Sequence, residues 1–199
     1  MLAADRIRVS ADGFFNRFYD MVSFAFGQFP GAPPPLASCP FGFGSYFNTD
    51  LARARGVNTG VEARATRWLR LSGHYSYVDS RVLISPNAFD PSLVAGNRLL
   101  RRPVHSGNLI LDADFRRMNW NLASYFSGSR TDSDFLGLGF TSNPGYARFD
   151  LAMNYNLRHG VTAFGRIENL FDKQYQETLG FPAYGRHFRL GMKVVLGGE

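Results

Sequence analysis

Arg148-Phe149-Asp150-Leu151-Ala152-Met153-Asn154-Tyr155-Asn156-Leu157 decides the fold class. Phe149, Leu151, Met153, Tyr155 and Leu157 take every second position, with Arg148, Asp150, Ala152, Asn154 and Asn156 between them. Successive side chains of a strand point to opposite faces, so such a run has one apolar and one polar side. Period two also governs Ile7–Phe15, Val57–Ala63, Leu69–Tyr77, Leu109–Phe115 (broken at Ile110) and Phe188–Leu196. It is weaker over Trp120–Gly128 and Val161–Asn169. The reading is an all-β chain of about eight strands.

The connections sort by length. Short ones are expected near Thr66-Arg67, at Arg116-Arg117-Met118 and at Arg158-His159-Gly160. Long ones, rich in Pro and Gly, are expected at Ser23–Ser45, Ser80–Arg102, Thr131–Gly145 and Tyr175–Tyr184. An antiparallel up-and-down meander with tight turns at one end and long loops at the other is the layout of outer-membrane barrels. A soluble sandwich, with its Greek-key crossings, has no reason to sort its loops. Alternation alone leaves open which face meets water. Segment length favours lipid outside: about 11–14 residues, against about 5–6 for soluble strands and about 9–11 for membrane ones. Tyr75, Tyr77, Trp120, Phe126, Tyr146 and Tyr155 lie near segment ends, where an interfacial aromatic girdle would sit.

Composition narrows the function. With 45% hydrophobic and 15% aromatic residues, the chain can bury enough apolar surface to order itself. Cys39 is the single cysteine, so an intrachain disulfide framework is excluded. No run approaches the roughly 18 apolar residues of a membrane helix, which leaves a barrel untouched. Met1-Leu2-Ala3-Ala4 is followed by Asp5, Arg6 and Arg8, with no apolar core of a secretory signal. The expectation is either a cytoplasmic protein or a piece of a longer one whose export signal lies elsewhere. The net charge of +6 is spread along the chain, without the basic face and recognition motif that a nucleic-acid partner would favour.

Towards the C-terminus the text becomes specific. Glu168-Asn169-Leu170-Phe171-Asp172-Lys173-Gln174-Tyr175, followed by Gly180-Phe181-Pro182-Ala183-Tyr184-Gly185-Arg186-His187-Phe188-Arg189-Leu190-Gly191, resembles the closing signature of TonB-dependent outer-membrane receptors. Arg53–Glu62, Leu71–Asp79, Arg101–His105 and Ser127–Asp132 resemble earlier stretches of the same family, nearest its cobalamin and siderophore receptors. The resemblance implies that residues 1–199 are the C-terminal portion of a barrel of about 22 strands whose lumen is plugged. It implies outer-membrane lipid around the strands and a metal chelate of the siderophore or cobalamin class at the extracellular loops. The plug domain, the TonB-contacting box and the signal peptide have no counterpart in the chain, so contact with the TonB complex would run through the missing N-terminal part. Energised transport by the chain alone is not expected. Val195-Leu196-Gly197-Gly198-Glu199 departs from the aromatic ending usual in the family.

Individual residues carry less. Asn169 and Asp172 read as turn or bulge formers, and Gly180, Pro182 and Gly185 as loop geometry. Arg186, Arg189 and Lys193 read as a solvated lumen face that could guide anions. Asp132 and Asp134 have the spacing of two calcium ligands without the rest of a calcium loop and read as solvent-exposed. His74, His105, His159 and His187 are scattered without metal-ligand spacing. No nucleophile elbow, phosphate loop or dinucleotide fingerprint occurs, so neither catalysis nor a cofactor is expected, and no individual ligand residue is named. Two other readings compete. A small self-contained barrel or passive pore would crowd Arg64, Arg70, His74, Arg148, Arg166 and Arg189 into a narrow interior. A soluble lipocalin-like binder would turn the apolar faces inward.

Overall fold

A computed structural model of the chain describes residues 6–25, 45–85, 94–133, 140–158 and 160–195. The strands are β1 (Ile7–Ala25), β2 (Ser45–Arg64), β3 (Leu69–Ile84), β4 (His105–Phe115), β5 (Met118–Ser127), β6 (Arg130–Ser133), β7 (Phe140–Asn143), β8 (Tyr146–Arg158), β9 (Val161–Glu168), β10 (Gln176–Thr178), β11 (Phe181–Pro182) and β12 (His187–Val194). Eight of them form one sheet in the order β1-β2-β3-β4-β5-β8-β9-β12, every neighbour antiparallel. This is the expected meander. β6–β7 and β10–β11 are separate two-stranded ribbons inside two of the long connections. Among the described residues β1 pairs with β2 alone and β12 with β9 alone, so the sheet is open at both edges.

Register keeps the two faces unmixed. One row runs Ile7–Ala63–Leu71–Leu111–Leu122–Leu151–Ile167–Phe188, apolar in all eight strands. One residue over, the row Arg64–Arg70–Asp112–Asn121–Ala152–Arg166–Arg189 is nearly all polar. A slip of one residue in any pair would send its apolar set to the other side, so the alternation read in the sequence fixes the parity of the pairing, and the tight turns choose among alignments two residues apart. At the turn end Phe115 pairs with Met118 and leaves Arg116-Arg117 as a two-residue hairpin loop, with Arg116 in the left-handed region at φ 55° that such tight turns require.

Burial tells which face is inside. Among the described residues the buried polar ones include Ser80, Ser127 and Asp150 of the polar face and Arg130, Asp132, Asn143 and Asn169 of the connections beyond it. The buried hydrophobic ones are Ala52, Val82 and Tyr146; Asp79, near the loop end, is the exception on the apolar side. Leu190 is 85% and Val9 73% exposed. Leu109, Leu151 and Leu190 lie on β4, β8 and β12 of one face and do not meet in a dry centre. The β10–β11 region packs on the opposite, polar face, where Tyr175 and Glu177 reach Arg148 and Tyr146. The polar face is therefore the interior and the apolar face looks outward, as in a barrel set in hydrocarbon.

Two sequence expectations change. Strand lengths are not uniform: β1, β2 and β3 have 19, 20 and 16 residues, whereas β9 and β12 have 8 each. Hydrogen bonding continues past the point where the apolar alternation stops, because backbone pairing does not depend on which face is oily. Tyr146 does not belong to the outward aromatics. It pairs with Ser127 and is almost wholly buried on the interior face. Tyr75, Tyr77, Trp120, Phe126 and Tyr155 do share the outward face.

Candidate functional site

Because the sheet is a simple meander, all four long connections leave from the same end. They are less loop-like than the sequence implied. Segment 23–45 includes the end of β1 and the start of β2, and 26–44 lie outside the described residues. Within Ser80–Arg102, β3 runs on to Ile84, and the chain then returns alongside it: Val82 N–H donates to the Asn97 carbonyl at 3.0 Å and Leu99 N–H to that of Ser80 at 3.2 Å. Thr131–Gly145 contains the β6–β7 ribbon, and Tyr175–Tyr184 contains β10–β11.

Three of these connections converge on one carboxylate. Asp132, at the third position of β6, is fully buried, which corrects its expected exposure; Asp134 lies outside the described residues. Asp132 Oδ1 accepts from Arg101 Nε at 2.9 Å and from the Ser133 N–H at 2.9 Å. Its Oδ2 accepts from Leu179 N–H at 2.9 Å and from Asn143 Nδ2 at 3.2 Å. Burial pushes this carboxyl's pKa up. The Leu179 amide, the Arg101 guanidinium, Asn143 and the Ser133 amide outweigh that, and hold it below the ordinary aspartate value.

The network extends to the wall of the sheet. Arg130 Nη2 donates to the carbonyls of Gln176 and Glu177, both at 2.6 Å. Tyr146 donates to Glu177 Oε1 at 2.6 Å and stacks on Tyr175 with centroids 4.1 Å apart. Arg148 Nη1 donates to the Tyr175 hydroxyl at 3.1 Å, and its Nη2 donates to Asp150 Oδ2 at 3.2 Å. Asp150 Oδ1 accepts the Asn169 N–H at 2.9 Å. Asn169 and Asp172 shape the strand end as expected, at φ 54° and 53°. Asn169 Nδ2 donates to the carbonyls of Lys173 and Tyr184, and its Oδ1 accepts the Lys173 N–H. Asp172 Oδ1 accepts the Arg186 N–H at 2.8 Å.

Beside the network lies a cleft of about 290 Å³ lined by Asn143, Lys173, Tyr175, Gln176 and Pro182, among others. Its amides, hydroxyl and ammonium can hydrogen-bond a polar ligand and offset negative charge. Among the described residues no three His, Cys, Asp or Glu gather as a metal-holding group. His105 Nδ1 lies 2.7 Å from the Tyr75 hydroxyl, and His187 Nε2 lies 3.0 Å from Glu168, at separate places. His159 and Cys39 fall outside the described residues. Arg189 and Arg166 share Glu168 at 3.1 Å each on the interior face. Neither Asn143 nor Glu177 stands out in the sequence as a partner of this site, whereas Arg101 and Asp132 lie in the family-like stretches Arg101–His105 and Ser127–Asp132.

The family model described as TonB dependent receptor-like, beta-barrel, matches residues 2–170. The chain belongs to the TonB-dependent receptors. These are receptors and transporters rather than enzymes. Within this family the chain is similar to the metal-pseudopaline receptor CntO of Pseudomonas aeruginosa (strain UCBPP-PA14), 32% identical over 136 residues, which are 63% of this chain and 18% of that receptor. In fold it is similar to the siderophore receptor PiuA from Acinetobacter baumannii, with a TM-score of 0.70 and 19% identity over 96% of this chain and 26% of that one. It is also similar to the ferripyoverdine receptor of the outer membrane of Pseudomonas aeruginosa, with a TM-score of 0.67 and 13% identity over 97% of this chain and 25% of that one. This TonB-dependent receptor chain thus spans about a fifth to a quarter of the length of these relatives.

Proposed function

We propose that the chain, over residues 1–199, is the C-terminal barrel portion of an outer-membrane receptor that takes up a metal chelate in a TonB-dependent manner. The observation that carries this reading is the inverted sheet. Eight antiparallel strands turn their apolar rows outward and their polar rows inward, and end in a polar loop platform. Likeness to a metal-pseudopaline receptor and to siderophore receptors supports a chelate, of the siderophore or cobalamin class, as cargo. The long connections then lie on the extracellular side, where outer-membrane barrels carry their longer loops.

Open edges set the division of labour. Each unpaired backbone group in hydrocarbon costs several kcal/mol, so β1 and β12 need further strands before this sheet can line a pore. Contact with the TonB complex is assigned to parts of the receptor outside these residues, and the chain alone is not competent for energised uptake. The experiment is uptake of a radiolabelled metal chelate in cells without receptors of their own. The cells express either this chain alone or a receptor that contains it, with and without TonB. Uptake is expected only from the complete receptor with TonB present. TonB-dependent uptake by the chain alone would overturn the proposal.

A further inference from the structure

Strand register draws four arginines into one line. Arg17 pairs with Arg53 across β1 and β2, Arg53 pairs with Arg81 across β2 and β3, and Arg81 bridges to Arg98 on the returning segment. Directly paired residues point to the same side of a sheet, with Cβ atoms about 4.5–5.5 Å apart. Here that side is the outward one. The next row towards the turn end is Phe15–Arg55–Asp79, and the one after it contains Val57 and Tyr77 of the apolar face.

Charge in these two rows does not balance. Asp79 is their one carboxylate, and Arg53, Arg55 and Arg81 surround it at 3.2, 3.3 and 3.0 Å. Like charges placed directly opposite destabilise a sheet. Arg53 Nε, moreover, is buried without a hydrogen-bond partner among the described residues. Arg17 lies over the Phe15 ring at 5.5 Å and Arg81 donates to the Gly96 carbonyl at 3.1 Å, yet neither contact supplies a negative charge, and an anionic partner would balance the surplus.

Position selects that partner. Asp79 and Arg81 lie two and four residues beyond Tyr77 on β3, about 7 and 13 Å along a strand rising about 3.3 Å per residue. Strand tilt of about 35–45° shortens these to about 5 and about 9–11 Å along the membrane normal. The first lies within the headgroup layer, about 5–7.5 Å deep, and the second lies just beyond it, within reach of an arginine side chain that bends back. The polar loop platform opens on the other face, away from this row. Guanidinium groups bind phosphate oxygens in a bidentate manner, and clustered basic side chains near a membrane surface attract anionic lipids. We infer that the outward arginine row is a docking site for phosphate-bearing lipid headgroups in the leaflet on the loop side. This goes beyond chelate uptake and rests on the membrane orientation proposed above.

The test uses the assembled receptor containing this chain, purified in non-ionic detergent, with bound lipid counted by native mass spectrometry. The probes are phosphatidic acid, zwitterionic phosphatidylcholine and inorganic phosphate. Preferential retention of phosphatidic acid is expected, and the triple variant Arg53→Gln, Arg81→Gln, Arg98→Gln should bind it ~100-fold more weakly, at roughly fivefold per arginine. Equal retention of both lipids, unchanged affinity in the triple variant, or displacement by inorganic phosphate at matched concentration would overturn the inference. Heat-modifiable gel mobility reports barrel assembly separately, so loss of assembly in the unsubstituted receptor counts against the membrane reading itself. Should the triple variant alone fail to assemble, Arg98→Gln takes its place, with a loss of roughly fivefold expected and an unchanged affinity overturning the inference.

Discussion

Arg101 donates to Asp132 across 2.9 Å, and in doing so ties the chain that returns along β3 to the β6–β7 ribbon. The carboxylate is wholly buried while the guanidinium side chain is 48% exposed. The pair is therefore half screened by water, and its Coulomb attraction is discounted accordingly. What makes Asp132 central is that the same two oxygens also serve Leu179, Asn143 and Ser133. One carboxylate thus organises three connections that the chain visits far apart.

Asp132→Asn keeps the shape and one acceptor oxygen but removes the charge and leaves a donor group facing donors. A buried donor left unsatisfied costs about 1–3 kcal/mol, and the loss is local to the platform. Amide hydrogen exchange should accelerate about tenfold or more at 130–133 and 176–179, with β4 and β5 unchanged. Equal exchange in both proteins would remove Asp132 from its organising role.

The same carboxyl gives a pH dependence with a defined sign. Its folded pKa lies below the unfolded value of about 3.9, so its contribution is fully present above that value. It is lost as pH falls through the folded pKa. Protection of the Leu179 amide should therefore hold from neutral pH down to about 4 and decline only below it. The decline should be absent in Asp132→Asn. A loss centred near neutral pH would assign the platform to another group.

Asn169 makes three side-chain hydrogen bonds from a buried left-handed position. Asn169→Ala removes all three and places a less tolerant residue at positive φ, at a cost of about 2–4 kcal/mol. Asn169→Asp keeps the acceptor for the Lys173 amide but turns a second carboxylate oxygen towards the Lys173 and Tyr184 carbonyls, and should cost at least as much as alanine. The unfolding midpoint of the assembled barrel, read by gel mobility after heating, orders the variants; the reverse order would refute the hydrogen-bond account.

Face assignment is testable by charge. Leu151 sits in the apolar row between Leu122 and Ile167, and Ala123 sits on the interior face opposite Asp150. Leu151→Arg should destabilise folding into lipid vesicles by about 2–4 kcal/mol, as an arginine at the midplane of the lipid face does. Ala123→Arg, in the aqueous lumen, should cost under about 1 kcal/mol. Equal costs would mean that the faces are assigned the wrong way round.

Period two in Phe149–Leu157 and its counterparts determined the strands and which face each residue joins, because a one-residue slip would break the apolar row; a two-residue slip would not, so the exact pairing was left to the turns. Loop sorting pointed to the meander, and Glu168–Gly191 carried the resemblance to the family that the match over residues 2–170 shows. The fate of Asp132, Tyr146 and the arginine row was not legible in the same way. Asp132 is buried by residues 31 positions before it, at Arg101, and 47 after it, at Leu179. Arg17, Arg53, Arg81 and Arg98 become neighbours only through two strand pairings and one isolated bridge. Alternation is a local property, set by the backbone from one residue to the next. The surroundings of a side chain at a loop or a register row come from segments that meet only once the sheet has formed, and tertiary structure alone decided those.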